Sequence, residues 1–321
     1  MGYDNIDMEK SDDMRNKVVI IGCGNVGMSY AYALINQKTF VTDLVLIDID
    51  AKRVEGEAMD LSHGIPFAPS KVNVKAGTYE DCKDAKIVCI CAGANQKPGE
   101  TRLDLIKKNY QIFKSLIPQV MNSGFQGIFL VATNPVDAMS YFTYRLSGLP
   151  ASHVIGSGTT LDTSRLRFLI SEKLGINAKN IHAYVLGEHG DSEFVPWSHA
   201  SVGLDLITSY LSEEERNKLC DEVKNAAYEV IQRKGVTNYG IGMCLVRITN
   251  AILGDENTIL SVSTYHEKEK VFISTPSIMN HEGVKKQVLF PLTEEEQARL
   301  DHSMKVIREA ILSVEYESTN D

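Results

Sequence analysis

The stretch Val18-Val19-Ile20-Ile21-Gly22-Cys23-Gly24-Asn25-Val26-Gly27 reads as a β-strand, a glycine turn and the start of a helix continuing to about Gln37. Each glycine has its own task in a turn built for a dinucleotide. Gly22 permits the tight turn, Gly24 lets the backbone approach a pyrophosphate, and Gly27 allows close contact between helix and strand. The phosphate would then lie at the positive helix N-terminus, against Asn25 and Val26. Alone, the same spacing describes an ordinary turn before a helix. A second apolar run, Leu44-Val45-Leu46-Ile47, ends in Asp48, about 20 residues on, where a carboxylate is expected to take the ribose hydroxyls. Asp48 points to NAD rather than NADP.

The rhythm of the following residues extends this unit. Apolar runs at Val18 to Ile21, Leu44 to Ile47, Val72 to Val74, Ile87 to Cys91, Ile128 to Val131 and Val154 to Ile155 alternate with helical stretches, which implies a parallel sheet. The helices are expected at Val26 to Gln37, Lys52 to Leu61, Leu103 to Met121 and Asp137 to Leu146, the last entered through Asn134-Pro135. Beyond about Gly158 the pattern changes. Helices are expected at Ser164 to Leu174, Glu213 to Arg233, Gly240 to Leu253 and Glu294 to about Val314, with strands near Ile181 to Val185, Ile259 to Val262 and Val271 to Ser274. The fold class is therefore α/β: a Rossmann-type doubly wound parallel sheet over residues 17–158, followed by a mixed α+β substrate domain over 159–321. Residues 1–16 form an extension with no assigned role.

A chain of 321 residues, 43% apolar and 23% charged, can bury a sizeable core. Met1 to Asn16 is charged and lacks an apolar segment, so neither a secretory signal nor a membrane span is expected, and the expected location is the cytoplasm. The six cysteines have no metal-ligand spacing and are expected to be free thiols, including Cys89 and Cys91, which alternate within one strand. A net charge of −9 disfavours nucleic acid and anionic membranes as partners. It leaves a small anionic substrate open, because local arginines decide that.

Chemistry concentrates in Leu161-Asp162-Thr163-Ser164-Arg165 and Leu186-Gly187-Glu188-His189-Gly190-Asp191. Imidazole gains and loses a proton near neutral pH, and a buried carboxylate on its other nitrogen would fix its tautomer and favour its charged form. With a guanidinium nearby, these are the groups needed to reduce a 2-keto acid. Asp162 and Arg165 are three apart and so neighbours on one helical face; taken alone, such a pair is most simply a surface ion pair. His63, His153, His199, His266, His281 and His302 have no reactive pattern around them.

In combination these motifs, together with Asp60-Leu61-Ser62-His63, Ala94-Asn95-Gln96-Lys97-Pro98-Gly99-Glu100-Thr101-Arg102 and Thr133-Asn134-Pro135-Val136-Asp137, resemble the lactate and malate dehydrogenase family. The resemblance covers nearly all of Lys17 to Val314 and favours its bacterial L-lactate type. It implies NAD as cofactor and pyruvate and L-lactate as substrates, with the oxidised cofactor regenerated in fermentation. By the same resemblance His189 gives its proton to the keto oxygen and Asp162 stabilises the imidazolium. Arg165 would clamp the substrate carboxylate by a two-pronged pair, and Arg102, on a lid from Asn95, would polarise the carbonyl. Asn134 would contact the carbonyl oxygen or the nicotinamide, with Thr237 on the substrate side and Ile241 on the nicotinamide face. Gln96 stands where malate-specific members carry arginine, so pyruvate is preferred over oxaloacetate. Arg167 and His182 resemble residues that anchor fructose 1,6-bisphosphate between subunits of activated members, and the family assembles as homotetramers. No metal is expected, because the histidines and carboxylates show no donor cluster in the sequence. Two alternatives stay open: an enzyme for malate or another L-2-hydroxyacid, and a non-catalytic NAD-binding protein.

Overall fold

Nine strands form one continuous sheet in the computed structural model, which describes residues 15–94 and 99–318. Its first part alternates strand and helix: β1 (Lys17–Ile21), α1 (Asn25–Asn36), β2 (Asp43–Ile47), α2 (Ala51–Gly64), β3 (Asn73–Ala76), β4 (Ile87–Ile90), α3 (Arg102–Asn122), β5 (Ile128–Val131), α4 (Val136–Ser147) and β6 (Val154–Gly156). These six strands lie in the order β3-β2-β1-β4-β5-β6, and every neighbouring pair is parallel. The order reverses between β1 and β4, which opens a crevice at their carboxyl ends.

Side-chain alternation explains why the central strands of this part are almost wholly apolar, whereas β3 at the edge carries Asn73 and Lys75. Val19, Ile21, Val88, Ile90, Phe129 and Val131 enter one core layer, while Val18, Ile20, Leu44, Leu46, Cys89 and Leu130 enter the other. Helices cover both faces, so no strand position can be polar without cost. Burying each such aliphatic side chain contributes about 1.5–3 kcal/mol.

The second part contains α5 (Thr160–Leu174), β7 (Ile181–His182), β8 (Ser201–Val202), β9 (Asp205–Leu206), α6 (Glu213–Lys234), α7 (Tyr239–Leu253), β10 (Thr258–His266), β11 (Val271–Asn280), β12 (Gly283–Gln287) and α8 (Glu294–Ser318). The strands β7, β8 and β9 make a small separate sheet, but β10 pairs antiparallel with β6 through Ser263 and Gly156 and so extends the large one. On the other face α7 packs on α1, where the Tyr30 hydroxyl and Thr249 Oγ1 are 2.5 Å apart.

Several strands differ from the sequence expectation for identifiable reasons. The run Ile181 to Val185 is a strand only at its first two residues. The Ala183 carbonyl then accepts from Arg167 Nε and the Val185 N–H donates to Thr163 Oγ1, both at 2.9 Å, so side chains replace a neighbouring strand. Conversely, β10 and β11 run well past Val262 and Ser274, and β12 was not anticipated. In β10 and β11 the buried Ser261, Ser263, Thr264, Ser274, Thr275 and Ser277 hide the apolar alternation that marks a strand, and β12 is a short strand at the edge of the sheet carrying Lys285 and Lys286.

Candidate active site

The crevice between β1 and β4 has the surfaces a dinucleotide requires. Gly22 has φ +100°, and a Cβ there would stand 2.3 Å from the Ala92 nitrogen; at Gly27 it would lie 2.0 Å from the Gly22 carbonyl oxygen. Both positions therefore need glycine, the first for its backbone conformation and close approach, the second for closeness alone. Gly24 faces open space, with nothing within 4 Å of a Cβ placed there. It caps α1 without a side chain, and the first N–H groups of that helix, from Asn25, Val26 and Gly27, are turned to the crevice end with no acceptor one turn earlier. Asp48 follows β2, where its carboxylate accepts from the Cys23 N–H at 2.6 Å and stands beside the glycine turn. These features fit a pyrophosphate on the helix end and a ribose on Asp48.

The chemical centre is assembled from α5 and the bend after Leu186. Asp162, on the first turn of α5, is buried; its Oδ2 is 2.6 Å from His189 Nδ1 and its Oδ1 accepts from the Arg165 guanidinium at 2.7 Å. Burial alone would lower the basicity of His189, but the charge and hydrogen bond of Asp162 outweigh it and push the imidazole up to about 9. Asp162 shifts the opposite way: burial opposes its ionisation, while His189 and Arg165 hold it below the usual carboxylate range. With Nδ1 engaged, His189 presents Nε2 as the exchangeable position. The pair is held from α7 as well, since Gly240 packs against the Leu161 side chain, one residue before Asp162.

Three further carboxyls surround His189, and the sequence offered no sign of their roles. Asp137 on α4 is buried; its Oδ2 accepts from the His189 backbone N–H at 2.8 Å and its Oδ1 from Ser263 at 2.6 Å. Burial pushes it up to about 6, against the lowering effect of both hydrogen bonds. Glu188 is buried, pairs with Arg102 at 2.5 Å and accepts from the Ser192 hydroxyl. Glu193 is buried beside His189 and Asp162. The common difficulty is sequence distance: partners such as Ser263 lie 126 residues away, and no local pattern announces them.

Arg102 begins α3, capped by Thr101 and Asp104, and reaches the bend that carries His189. Its guanidinium donates to the His189 carbonyl at 3.4 Å besides pairing with Glu188. It is thus not a solvated loop arginine. Beneath it a cavity of about 320 Å³, lined among others by Leu103, Ile106, Pro135, Ala138 and Ile307, separates the starts of α3 and α4 from α8.

The remaining expected residues fall in different places. The exposed Asn134 precedes α4 at the end of β5, and its carbonyl accepts from Asn109 at 2.7 Å. Thr237 and Ile241 flank the start of α7, which Asn238 ties to α1 through a 2.7 Å bond to Ser29. Arg167 and His182 lie away from this centre, on α5 and β7; Arg167 is bonded to the Ala183 carbonyl at 2.9 Å and stacks 4.7 Å from the Tyr184 ring centre, while His182 is exposed. Gln96 lies outside the described residues, as do the first half of the expected lid and nearly all of the N-terminal extension.

One premise of the sequence reading is corrected: the fold does gather possible metal donors. Asp162, His189 and Glu193 each offer an atom within 4.8 Å of the others. The chemistry of the set does not suit a cation, because both Asp162 oxygens are engaged and Arg165 already supplies positive charge 2.7 Å away. The six cysteines are free thiols, as expected. Among the described residues no helix is long and apolar enough to cross a membrane.

Residues 16–156 match the family described as lactate/malate dehydrogenase, NAD binding domain, and residues 159–317 match its alpha/beta C-terminal domain. L-lactate dehydrogenase 1 of Bacillus cereus is 50% identical over 309 residues, covering 93% of this chain and 98% of that protein. A lactate dehydrogenase from a Medee basin deep-sea metagenome library superposes with a TM-score of 0.92 at 50% identity, over 94% of this chain and 100% of the other. The minor L-lactate dehydrogenase of Enterococcus mundtii, in its ligands-bound form, gives 0.90 at 47% identity, over 94% and 99%. Since these matches together span nearly the whole chain, it belongs to the lactate/malate dehydrogenase family.

Proposed function

We propose that the chain reduces pyruvate to L-lactate with NADH and catalyses the reverse reaction with NAD. The observation that carries this reading is the connected set Arg165–Asp162–His189, in which one carboxylate serves both cations at 2.6–2.7 Å. Bound NADH supplies the hydride. His189 gives the keto oxygen a proton from Nε2, and Asp162 stabilises the imidazolium and holds its tautomer. Arg165 keeps guanidinium N–H groups beyond the one bonded to Asp162, and these take the substrate carboxylate as a planar fork. Arg102, already against the His189 carbonyl, meets charge developing on the substrate oxygen. Asn134 and Thr237 line the substrate side, and Ile241 lies against the nicotinamide. Gly22, Gly24, Asn25, Val26, Gly27 and Asp48 hold the rest of the cofactor. In this division residues 17–158 bind NAD and residues 159–321 carry most of the chemistry.

The test is loss of NADH absorbance with pyruvate and oxaloacetate at matched subsaturating concentrations. Pyruvate is the expected substrate; preference for oxaloacetate would overturn the assignment. Gln96→Arg is expected to raise kcat/KM for oxaloacetate relative to pyruvate by at least tenfold, since matching a second carboxylate is worth about 1.5–3 kcal/mol. An unchanged ratio would remove Gln96 from substrate choice.

Regulation by fructose 1,6-bisphosphate and assembly into a cytoplasmic homotetramer belong to the same reading. Arg167 and His182 supply cationic chemistry for a bisphosphate, and exposed Phe67, Phe168 and Leu206 are apolar surface that subunit contact would cover. The bisphosphate is expected to shift the pyruvate saturation curve to lower concentration. Superimposable curves with and without it would sink this part of the proposal.

A further inference from the structure

Glu193 has no part in the reaction as described, yet its carboxyl lies in the centre of the site. It follows the bend after His189, where its backbone N–H donates to the Gly190 carbonyl at 3.3 Å. Only 5% of it is exposed, and one carboxyl oxygen lies within 4.8 Å of both a His189 ring nitrogen and an Asp162 oxygen. The other three carboxyls near His189 are engaged: Asp162 by Arg165 and His189, Asp137 by Ser263 and the His189 N–H, Glu188 by Arg102 and Ser192. Among the described residues the Glu193 carboxyl accepts no hydrogen bond and joins no ion pair.

We propose that Glu193 is a positioning residue that sets the proton affinity of His189: its carboxyl stands close enough to the ring for a negative charge there to hold the imidazolium in its protonated form. The inference rests on His189 being the proton donor. The site then keeps its donating form to higher pH than the His189–Asp162 pair could manage alone.

The charges around Glu193 set the direction of the effect. From α5 come Asp162 and Arg165, from the bend itself His189, and from α6 Lys224, whose Nζ donates to the Asp191 carbonyl at 3.2 Å; Asp137 on α4 and Glu188 on the bend are bonded to partners of their own. Burial and the negative charge of Asp162 push Glu193 up to about 8, against the pull of His189, Lys224 and Arg165. Burial and Asp162 thus favour its protonated form, which adds no negative charge to a pocket meant for a carboxylate substrate. His189 is pushed up to about 9, with Glu193 among the charges that raise it. The two titrations belong to one coupled set, so removing one carboxyl must displace the other group. The sign is fixed: without the Glu193 charge, His189 loses its proton at lower pH.

The experiment compares wild type, Glu193→Gln and Glu193→Asp by kcat/KM for pyruvate reduction and for lactate oxidation from pH 5 to pH 10. Glutamine keeps shape and loses charge. Its alkaline limb for pyruvate reduction is expected about one pH unit lower, with the acid limb for lactate oxidation moving by the same amount in the same direction. Rates on the plateau should stay within a few-fold, and aspartate, with its charge one methylene further back, should give a smaller displacement. Titration of the His189 ring by NMR, in protein without NAD and assigned with His189→Gln, should move in parallel and does not require turnover. Coincident limbs and an unmoved His189 titration in Glu193→Gln would overturn the proposal, as would a loss of rate equal at every pH. If wild type turns over no pyruvate, the functional reading fails, while the NMR titration still decides the role of Glu193. If glutamine prevents folding, aspartate and the same titration decide it.

Discussion

Glutamine in place of His189 is expected to lower kcat/KM for pyruvate reduction by about 10^4-fold while leaving NADH binding intact. Glutamine can offer a hydrogen bond to the keto oxygen but has no proton to transfer near neutral pH, so the positioning contribution survives and the acid is lost. The backbone at this position is secured independently, by the bond from the His189 N–H to Asp137. Asp162 also keeps its Arg165 partner, which limits the penalty of removing the imidazole. The loss should therefore be confined to turnover. Steady-state NADH absorbance gives the first quantity and a fluorescence titration with NADH the second. A reduction of less than tenfold would remove His189 from proton transfer.

Arg165→Lys should cost about 10^2- to 10^3-fold in kcat/KM, borne mainly by KM for pyruvate. The guanidinium can serve two carboxylates at once: one nitrogen bonds Asp162 at 2.7 Å, and its planar fork leaves other N–H groups for the substrate. An ammonium is a point charge on a flexible stem, so it must share itself between Asp162 and pyruvate. Losing one charge-assisted hydrogen bond and the fork geometry amounts to about 3–4 kcal/mol. The contrast with His189→Gln is diagnostic, because that change should act on kcat and this one on substrate capture. A loss carried wholly by kcat, with KM unmoved, would contradict the clamp. Retention of the high His189 titration in the variant would show that Asp162 stayed in place.

Some of this architecture is legible without coordinates. The central strands of the first part announce themselves because helices bury them on both faces, which forces runs such as Val18 to Ile21 and Ile128 to Val131 to be wholly apolar. The glycine turn and Asp48 are readable because their spacing is local. His189 and Asp162 are readable only as members of two motifs; that Asp162 also bonds Arg165 follows from one helical turn, but its approach to His189 spans 27 residues and required the fold. Asp137, Glu188 and Glu193 escape for the same reason, since a buried carboxylate is written in the chain with the same letter as a surface one. The serine-rich β10 and β11 escape for the opposite reason: their hydroxyls look like surface polarity but serve buried groups. Ser261 donates to the Val185 carbonyl at 2.7 Å, and Ser274 Oγ accepts from the Thr159 N–H at 3.0 Å.

The pairing of β10 with β6 has a bearing on how the chain could be divided. The two family segments meet between residues 156 and 159, the place where scissors guided by sequence would fall. A fragment ending there would leave β6 as a bare edge, with unpaired backbone groups where Ser263 had stood and Asp137 buried without its hydroxyl partner. Exposed edges of this kind recruit other strands, so the fragment would tend to associate with copies of itself. The remainder would fare no better, since β10, β11 and β12 would be a three-stranded ribbon stripped of the sheet they extend. What heredity stores as two modules is, as matter, a single slab, and recombination between relatives at this seam succeeds only where both halves bring matching edges.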